Sequence, residues 1–382
     1  MPGSRLLDLQ RYGQSIWYDL IRRSLITSGE LQDLIDRDGV RGVTSNPVIF
    51  EKAIAGSTDY DDAIGDILRR GDLPAQGIYE HIAIDDIRSA ADLLSSVHTS
   101  SGGRDGYVSL EVSPHLAYET EATVAEAKRL WAAVDRPNLM IKVPATAAGL
   151  PAIRRLLGEG VNINVTLLFA QEVYEEVAEA YIAGLETRAA AGKNVTGVAS
   201  VASFFVSRID SLIDSLIDER LASAVTADAR GALRNLLGKV AIANAKLAYV
   251  AYRRIFSGKR WQALAARGGQ TQRLLWASTG TKNPNYPKTI YVDELIGPDT
   301  VNTVPPDTLA HFREHGRVRQ SLTESIEEAR DTLARLAASG ISMESVTKRL
   351  LDQGVKLFAD AFDKLLDAIE QKRSAILGTR VG

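Results

Sequence analysis

Short β-branched and apolar runs alternate with helical patterns along this chain, and that alternation admits few folds. Strand, helix and strand in succession build a parallel sheet through crossover connections. Eight runs read as strands: Ser15–Asp19, Val40–Asn46, Tyr107–Val112, Leu139–Ala145, Val161–Leu167, Val198–Phe204, Arg273–Thr279 and Thr300–Val304. Eight is the number that closes such a sheet into a (β/α)8 TIM barrel, an α/β fold that runs from about 200 to more than 400 residues, so 382 residues need no second domain. The expectation is one barrel domain over residues 1–382 with additional helices. Two strand-to-strand intervals exceed the roughly 30 residues that one crossover needs, which places helical insertions at about 58–100 and 211–267. A C-terminal helical extension follows, where Leu351, Val355, Phe358, Phe362, Leu365 and Ile369 form one apolar stripe. After the sixth strand Ile209, Leu212, Ile213, Leu216 and Ile217 make another stripe, and Asp210, Asp214 and Asp218 read as its solvated face.

Polar residues interrupt strands that ought to be nearly all apolar if both faces are buried. Asp19 ends the first, Asn46 the second, Glu111 lies late in the third, Lys142 in the fourth, Asn164 and Thr166 in the fifth, and Ser203 and Ser278 in the sixth and seventh. In a TIM barrel the C-terminal ends of different strands converge on one site, so these scattered positions can form one constellation. Lys142 carries the most weight, because MIKVPA places an ammonium between Ile141 and Val143. A lone buried ammonium tends toward its neutral form, and a neutral lysine can attack a carbonyl to give a Schiff base. A structural ion pair with Glu111 is the competing reading. Asp19 can equally cap a helix, Asn46 before Pro47 can form a plain turn, and Arg208 can be solvated. With Ser203, Ser278 and Lys282, however, Arg208 can also grip a phosphate, which barrels often bind near their last strands.

Charge and composition narrow the chemistry. With 45 basic against 48 acidic residues, net −3, and no block of one sign, neither a nucleic acid nor an anionic membrane is an expected partner. The absence of cysteine excludes thiolate nucleophiles and Cys-ligated metal. His311 to His315 spells HFREH, which fits the H-x-x-E-H metal pattern, but no third ligand accompanies it and it reads as a surface helix. No Walker loop and no G-x-G-x-x-G follows a strand, so no cofactor is expected. The N-terminus lacks the apolar run of a signal peptide, and a soluble cytoplasmic protein is the expectation.

Three segments resemble the transaldolase family across nearly the whole chain: Gly42–Phe50 (GVTSNPVIF), Ile141–Thr146 (IKVPAT) and Val161–Phe169 (VNINVTLLF). The resemblance implies a (β/α)8 barrel that moves a dihydroxyacetone unit between sugar phosphates, such as sedoheptulose 7-phosphate or fructose 6-phosphate and an aldose phosphate, without metal or cofactor. It further implies that Lys142 forms the Schiff base and Asp19 takes the C4 hydroxyl proton. Glu111 and Thr166 would hold the water that shuttles protons, Asn46 and Asn164 would bind the dihydroxyacetone hydroxyls, and Ser203, Arg208 and Ser278 would bind phosphate. Many members carry an Arg two residues after the Ser that corresponds to Ser278; here Gly280 stands there, and Lys282 is the candidate replacement. An aldolase-like lyase that releases dihydroxyacetone is the near alternative, and a non-catalytic sugar-phosphate-binding scaffold the distant one. Either a monomer or a homodimer is compatible with the sequence.

Overall fold

The computed structural model describes residues 4–378. Eight parallel strands close a barrel in chain order: β1 (Gln14–Tyr18), β2 (Val40–Val43), β3 (Tyr107–Glu111), β4 (Leu139–Pro144), β5 (Ile163–Leu168), β6 (Ser200–Phe205), β7 (Arg273–Ala277) and β8 (Thr300–Val304). β8 returns to β1, with Ile16 opposite Asn302, so no strand edge is left free. The register places Glu111 opposite Lys142 and Lys142 opposite Asn164. Because side chains alternate across a strand, neighbours in register share a face, and three polar groups from adjacent strands come together.

The strand positions match the expected ones within two or three residues, with informative differences at the ends. β1 stops at Tyr18, leaving Asp19 just beyond it, and β2 stops at Val43, three residues before Asn46. Asn46 is neither a strand end nor a plain turn: it is the N-cap of the Pro47–Ala55 helix, its side-chain oxygen accepting from Ile49 N. Proline at the first helical position costs no hydrogen bond there, which lets the chain turn sharply into the helix. β7 likewise ends at Ala277, one residue short of Ser278.

Helices fill the long intervals as expected. Between β2 and β3 lie Asp61–Arg70, Ala75–Leu93 and Ser95–Ser100; between β6 and β7 lie Ser207–Ser223, Ala227–Arg234, Val240–Ile255 and Lys259–Ala265. The C-terminal helix Met343–Gly378 buries Val355, Phe358, Phe362, Leu365 and Ile369, and packs chiefly on the Pro47–Ala55 helix. That stripe draws it across the C-terminal ends of the strands. One expectation fails: Asp210 and Asp214 are not on a solvated face but only 1% and 8% exposed. Insertion helices and the β7 connection cover them, and each carboxylate accepts a tyrosine hydroxyl.

The N-terminal end of the barrel is closed by charge. Asp105 accepts bonds from Ser15, Trp17, Arg41 and Arg273 at 2.8–3.2 Å, and Arg273 is itself 5% exposed. Burial pushes the Asp105 carboxyl up, but the Arg273 charge and these bonds outweigh it and hold the group below its ordinary value. This knot lies at the end where barrels place stability and not catalysis.

Candidate active site

A cavity of about 430 Å³ opens at the C-terminal ends of the strands. Asp19, Asn46, Lys142, Thr166, Ser203, Arg208, Ser278 and Lys282 all line it, contributed by segments up to 263 residues apart. Lys142 lines its wall, and Glu111 stands behind Lys142 without lining the cavity itself. Both side chains are 6% exposed, with Nζ 3.5 Å from Glu111 Oε2 and donating at 2.8 Å to the Ser45 carbonyl. The ion pair read as the alternative role of Lys142 therefore exists, in the same place as the reactive one. Burial pushes the Glu111 carboxyl up to about 7, against the opposing pull of Lys142. A glutamate in that range can take a proton from a neighbouring amine and return it.

Two buried polar atoms beside Lys142, Glu111 Oε2 and Thr166 Oγ1, have no hydrogen-bond partner. Buried polar atoms are rarely left so, and the exceptions gather where a water or substrate belongs. The position of Thr166 is set by the backbone. The β5–β6 register shifts between Val165 and Leu168, and Leu167 takes φ = 55°. Such a bulge re-aims the side chains around it. The displaced Leu167 is accommodated by Gly354 of the C-terminal helix, where a Cβ would lie 2.8 Å from Leu167 Cδ2.

Asp19 lines the same cavity as Lys142. It is not a helix cap; the next helix, Arg23–Thr27, has Arg22 at its N-cap. Thr44 Oγ1 donates to Asp19 Oδ1 at 2.7 Å and shares a second 2.7 Å bond with Thr303 Oγ1. Burial pushes the Asp19 carboxyl up, while the Thr44 bond and then the charges of Lys142, Lys282 and Arg208 pull it down. Asn164, like Glu111, does not reach the cavity wall. Its Nδ2 donates to Ser109 Oγ at 2.9 Å and its Oδ1 accepts from Ser203 Oγ at 2.6 Å, so it lies beneath and fixes Ser203.

Cations collect at the other end. Arg208 is half-buried with its guanidinium over the Phe205 ring, and burial lowers its pKa against the pull of Asp19. Lys282 stands at the rim, and desolvation followed by the Arg208 charge lowers its pKa. Its Nζ lies 4.0 Å from where a Cβ on Gly280 would be, so the ammonium occupies the space in front of position 280. Ser278, at φ = 55°, bonds Ser207 Oγ at 3.0 Å; a non-glycine residue held in this region next to a site is strain retained for position.

Sequence reasoning missed Thr44, Thr303, Lys52, Arg22 and the helix residues Leu357 and Phe358, all on the cavity wall. Thr44 had a signal, since it sits inside GVTSN; the C-terminal helix gave none beyond its apolar stripe. Of the HFREH histidines on the Pro306–His315 helix, His315 is exposed and His311 partly so, its Nδ1 2.8 Å from the Asp307 carbonyl one turn earlier. Among the described residues no group of three or more His, Asp or Glu is placed to hold a metal, and no helix is long and apolar enough to cross a membrane.

Comparison with known proteins agrees with this geometry. The family model described as Transaldolase/Fructose-6-phosphate aldolase matches residues 16–369. A protein named transaldolase from Trichodesmium erythraeum is 47% identical over 374 residues, covering 97% of this chain and 98% of that relative. Transaldolase 1 of Streptomyces avermitilis is 50% identical over 358 residues, 94% of this chain and 92% of that relative. A transaldolase of Neisseria gonorrhoeae is 47% identical over 361 residues, with 94% and 98% covered. With a closed eight-stranded barrel, a buried lysine at the mouth and near-full-length likeness to such proteins, the chain belongs to the transaldolase/fructose-6-phosphate aldolase family.

Proposed function

We propose that the transaldolase reaction of this chain runs on Lys142, Glu111, Asp19 and Thr166, with a ketose phosphate as donor and an aldose phosphate as acceptor. The observation that carries this reading is the buried Lys142 ammonium 3.5 Å from a carboxyl pushed up to about 7, within one cavity that also holds Asp19. Proton transfer from Lys142 to Glu111 frees the amine lone pair. The amine adds to the ketose C2 carbonyl, and the carbinolamine oxygen leaves as water once protonated. The unpartnered Glu111 Oε2 and Thr166 Oγ1 suit a water that carries those protons.

The iminium so formed is an electron sink. Asp19, ionised, takes the C4 hydroxyl proton; the C4–O bond becomes a carbonyl, the C3–C4 bond breaks, and its electron pair passes into the iminium to give an enamine. The first aldose leaves. Asn46 holds a dihydroxyacetone hydroxyl through its amide hydrogens, its oxygen being committed to the helix N-terminus. Asn164 contributes through Ser203 and through its second amide hydrogen. A new aldose then accepts the enamine carbon, and the steps reverse. Arg208, Lys282 and Ser278 hold the phosphate end, whereas Ser203, whose proton goes to Asn164, is left to accept from a substrate hydroxyl.

Transfer in preference to release requires that the enamine persist until the acceptor arrives. Assay of donor consumption with and without erythrose 4-phosphate separates the two: turnover that depends on the acceptor is expected, and free dihydroxyacetone released at an equal rate without it would assign a lyase. Lys142→Ala is expected to abolish turnover in folded protein, and retained activity would remove the Schiff base from the mechanism.

A further inference from the structure

We propose that two tyrosine–aspartate bonds, Tyr286 to Asp214 and Tyr291 to Asp210, latch the β7 connection onto the Ser207–Ser223 helix and thereby set the spacing of Lys282 and Arg208 that fixes affinity for the substrate phosphate. This rests on the assignment of those two cations to the phosphate.

The need for a latch follows from charge. Arg208 and Lys282 line the same cavity; the Arg208 charge disfavours the Lys282 ammonium, and the Asp19 carboxylate offsets it only in part. Without a bound anion they repel, and a connection free to move would swing Lys282 outward. Residues 278–289 form no regular secondary structure. Several of the bonds in that stretch are internal: Thr281 Oγ1 to the carbonyls of Pro287 and Lys288, and Tyr286 N to Asn283 O. Those bonds shape the connection; its start is held by Ser278 on Ser207 and Thr279 on β8, which leaves the stretch from Gly280 onward to be placed.

The tyrosines supply an anchor. Tyr286 OH donates to Asp214 Oδ2 at 2.7 Å, joined by Asn283 Nδ2 at 3.4 Å. Tyr291 OH donates to Asp210 Oδ2 at 2.8 Å, and Asp210 Oδ1 takes Ala241 N at 2.8 Å. Asp210 and Asp214 are four residues apart, hence one turn apart on one helical face. Arg208 stands on the first turn of the same helix. The latch therefore ties the segment bearing one cation directly to the element bearing the other. The Tyr286 ring is seated against Gly238, where a Cβ would lie 2.9 Å from the ring, so that glycine keeps the seat open.

The test uses the full chain with fructose 6-phosphate as donor, and inorganic phosphate as a competitive probe. Tyr286→Phe removes one hydroxyl; loss of a bond to a carboxylate is expected to raise both KM and the phosphate inhibition constant about tenfold, with kcat changed less than about twofold. Asp214→Ala should match it, whereas Asp214→Asn keeps an acceptor oxygen for Tyr286 and should remain near wild type. Should Asp214→Ala fail to fold, Tyr286→Phe with Asp214→Asn carries the test. Arg208→Ala is measured alongside. If it weakens phosphate inhibition while Tyr286→Phe does not, the latch is wrong and the phosphate site stands. If Arg208→Ala also leaves inhibition unchanged, the phosphate assignment itself falls and the latch with it. A loss confined to kcat in Tyr286→Phe would likewise overturn the proposal.

Discussion

Thr44→Val isolates the bond that keeps Asp19 ready to act as a base. Valine matches threonine in shape, so the change deletes the 2.7 Å donation to Asp19 Oδ1 together with the 2.7 Å bond to Thr303, and Thr303→Val measures the second loss by itself. A hydrogen bond to a charged group contributes about 1.5–3 kcal/mol. At about 1.4 kcal/mol per pH unit, its loss moves the acid limb of the kcat/KM profile by about one to two units. The sign is fixed by which form the bond favours. Thr44 donates to the ionised carboxylate, so its removal favours the protonated form, and activity disappears at a higher pH than in the wild type. Rates on the plateau above that limb should change little. Thr303 also bonds Thr44 and could swing to Asp19, so Thr303→Val serves as the control; it should displace the limb less. The assay is a coupled measurement of kcat/KM from pH 4 to 9 on variants with unchanged circular dichroism. An acid limb unmoved in Thr44→Val would show that Asp19 is not the group whose ionisation the reaction needs.

Asp105→Ala leaves Arg273 buried without its carboxylate, and breaking a buried pair from one side costs about 3–5 kcal/mol; denaturant unfolding should register this while the pH–rate profile of the remaining folded enzyme stays unchanged. Since Asp105 sits below its ordinary pKa, its contribution is present above the unfolded value and lost as pH falls, so the wild type but not the variant should lose this part of its stability on acidification. Lys282→Ala should raise KM for phosphorylated sugars about tenfold. Adding Gly280→Arg to that variant should recover part of the loss in steady-state assays, because the ammonium in front of position 280 is then gone; Pro305, 3.1 Å from the new Cβ, must shift slightly in either background, but in the wild type the same arginine also meets the Lys282 ammonium and should weaken binding.

Most of the barrel was legible because strand periodicity is local. The Thr300–Val304 strand matches to the residue, and the others drift only at ends where the chain leaves the ladder. Lys142 was visible for the same reason: a charge inside MIKVPA violates the pattern of a buried strand. Asp19, Asn46 and Ser278 do line the cavity but lie one to three residues past the strands that were expected to hold them, since each stands where the backbone departs from the strand. The Asp210–Asp214 face was misread because periodicity reports only what one helix hides from solvent by itself. It says nothing of a tyrosine some 75 residues later folding back over the polar side. The contribution of Leu357 and Phe358 was hidden by the same non-locality: an apolar stripe fixes that a helix packs, not on what.

The central claim is that Lys142 is the covalent residue. Its most direct test is peptide mass spectrometry after incubation with fructose 6-phosphate and sodium borohydride. A reduced three-carbon dihydroxyacetone adduct on the peptide containing Lys142 is the expected result, and it reports Schiff-base formation and C3–C4 cleavage together. No adduct on folded protein, or an adduct on another lysine such as Lys52 or Lys282, would contradict it.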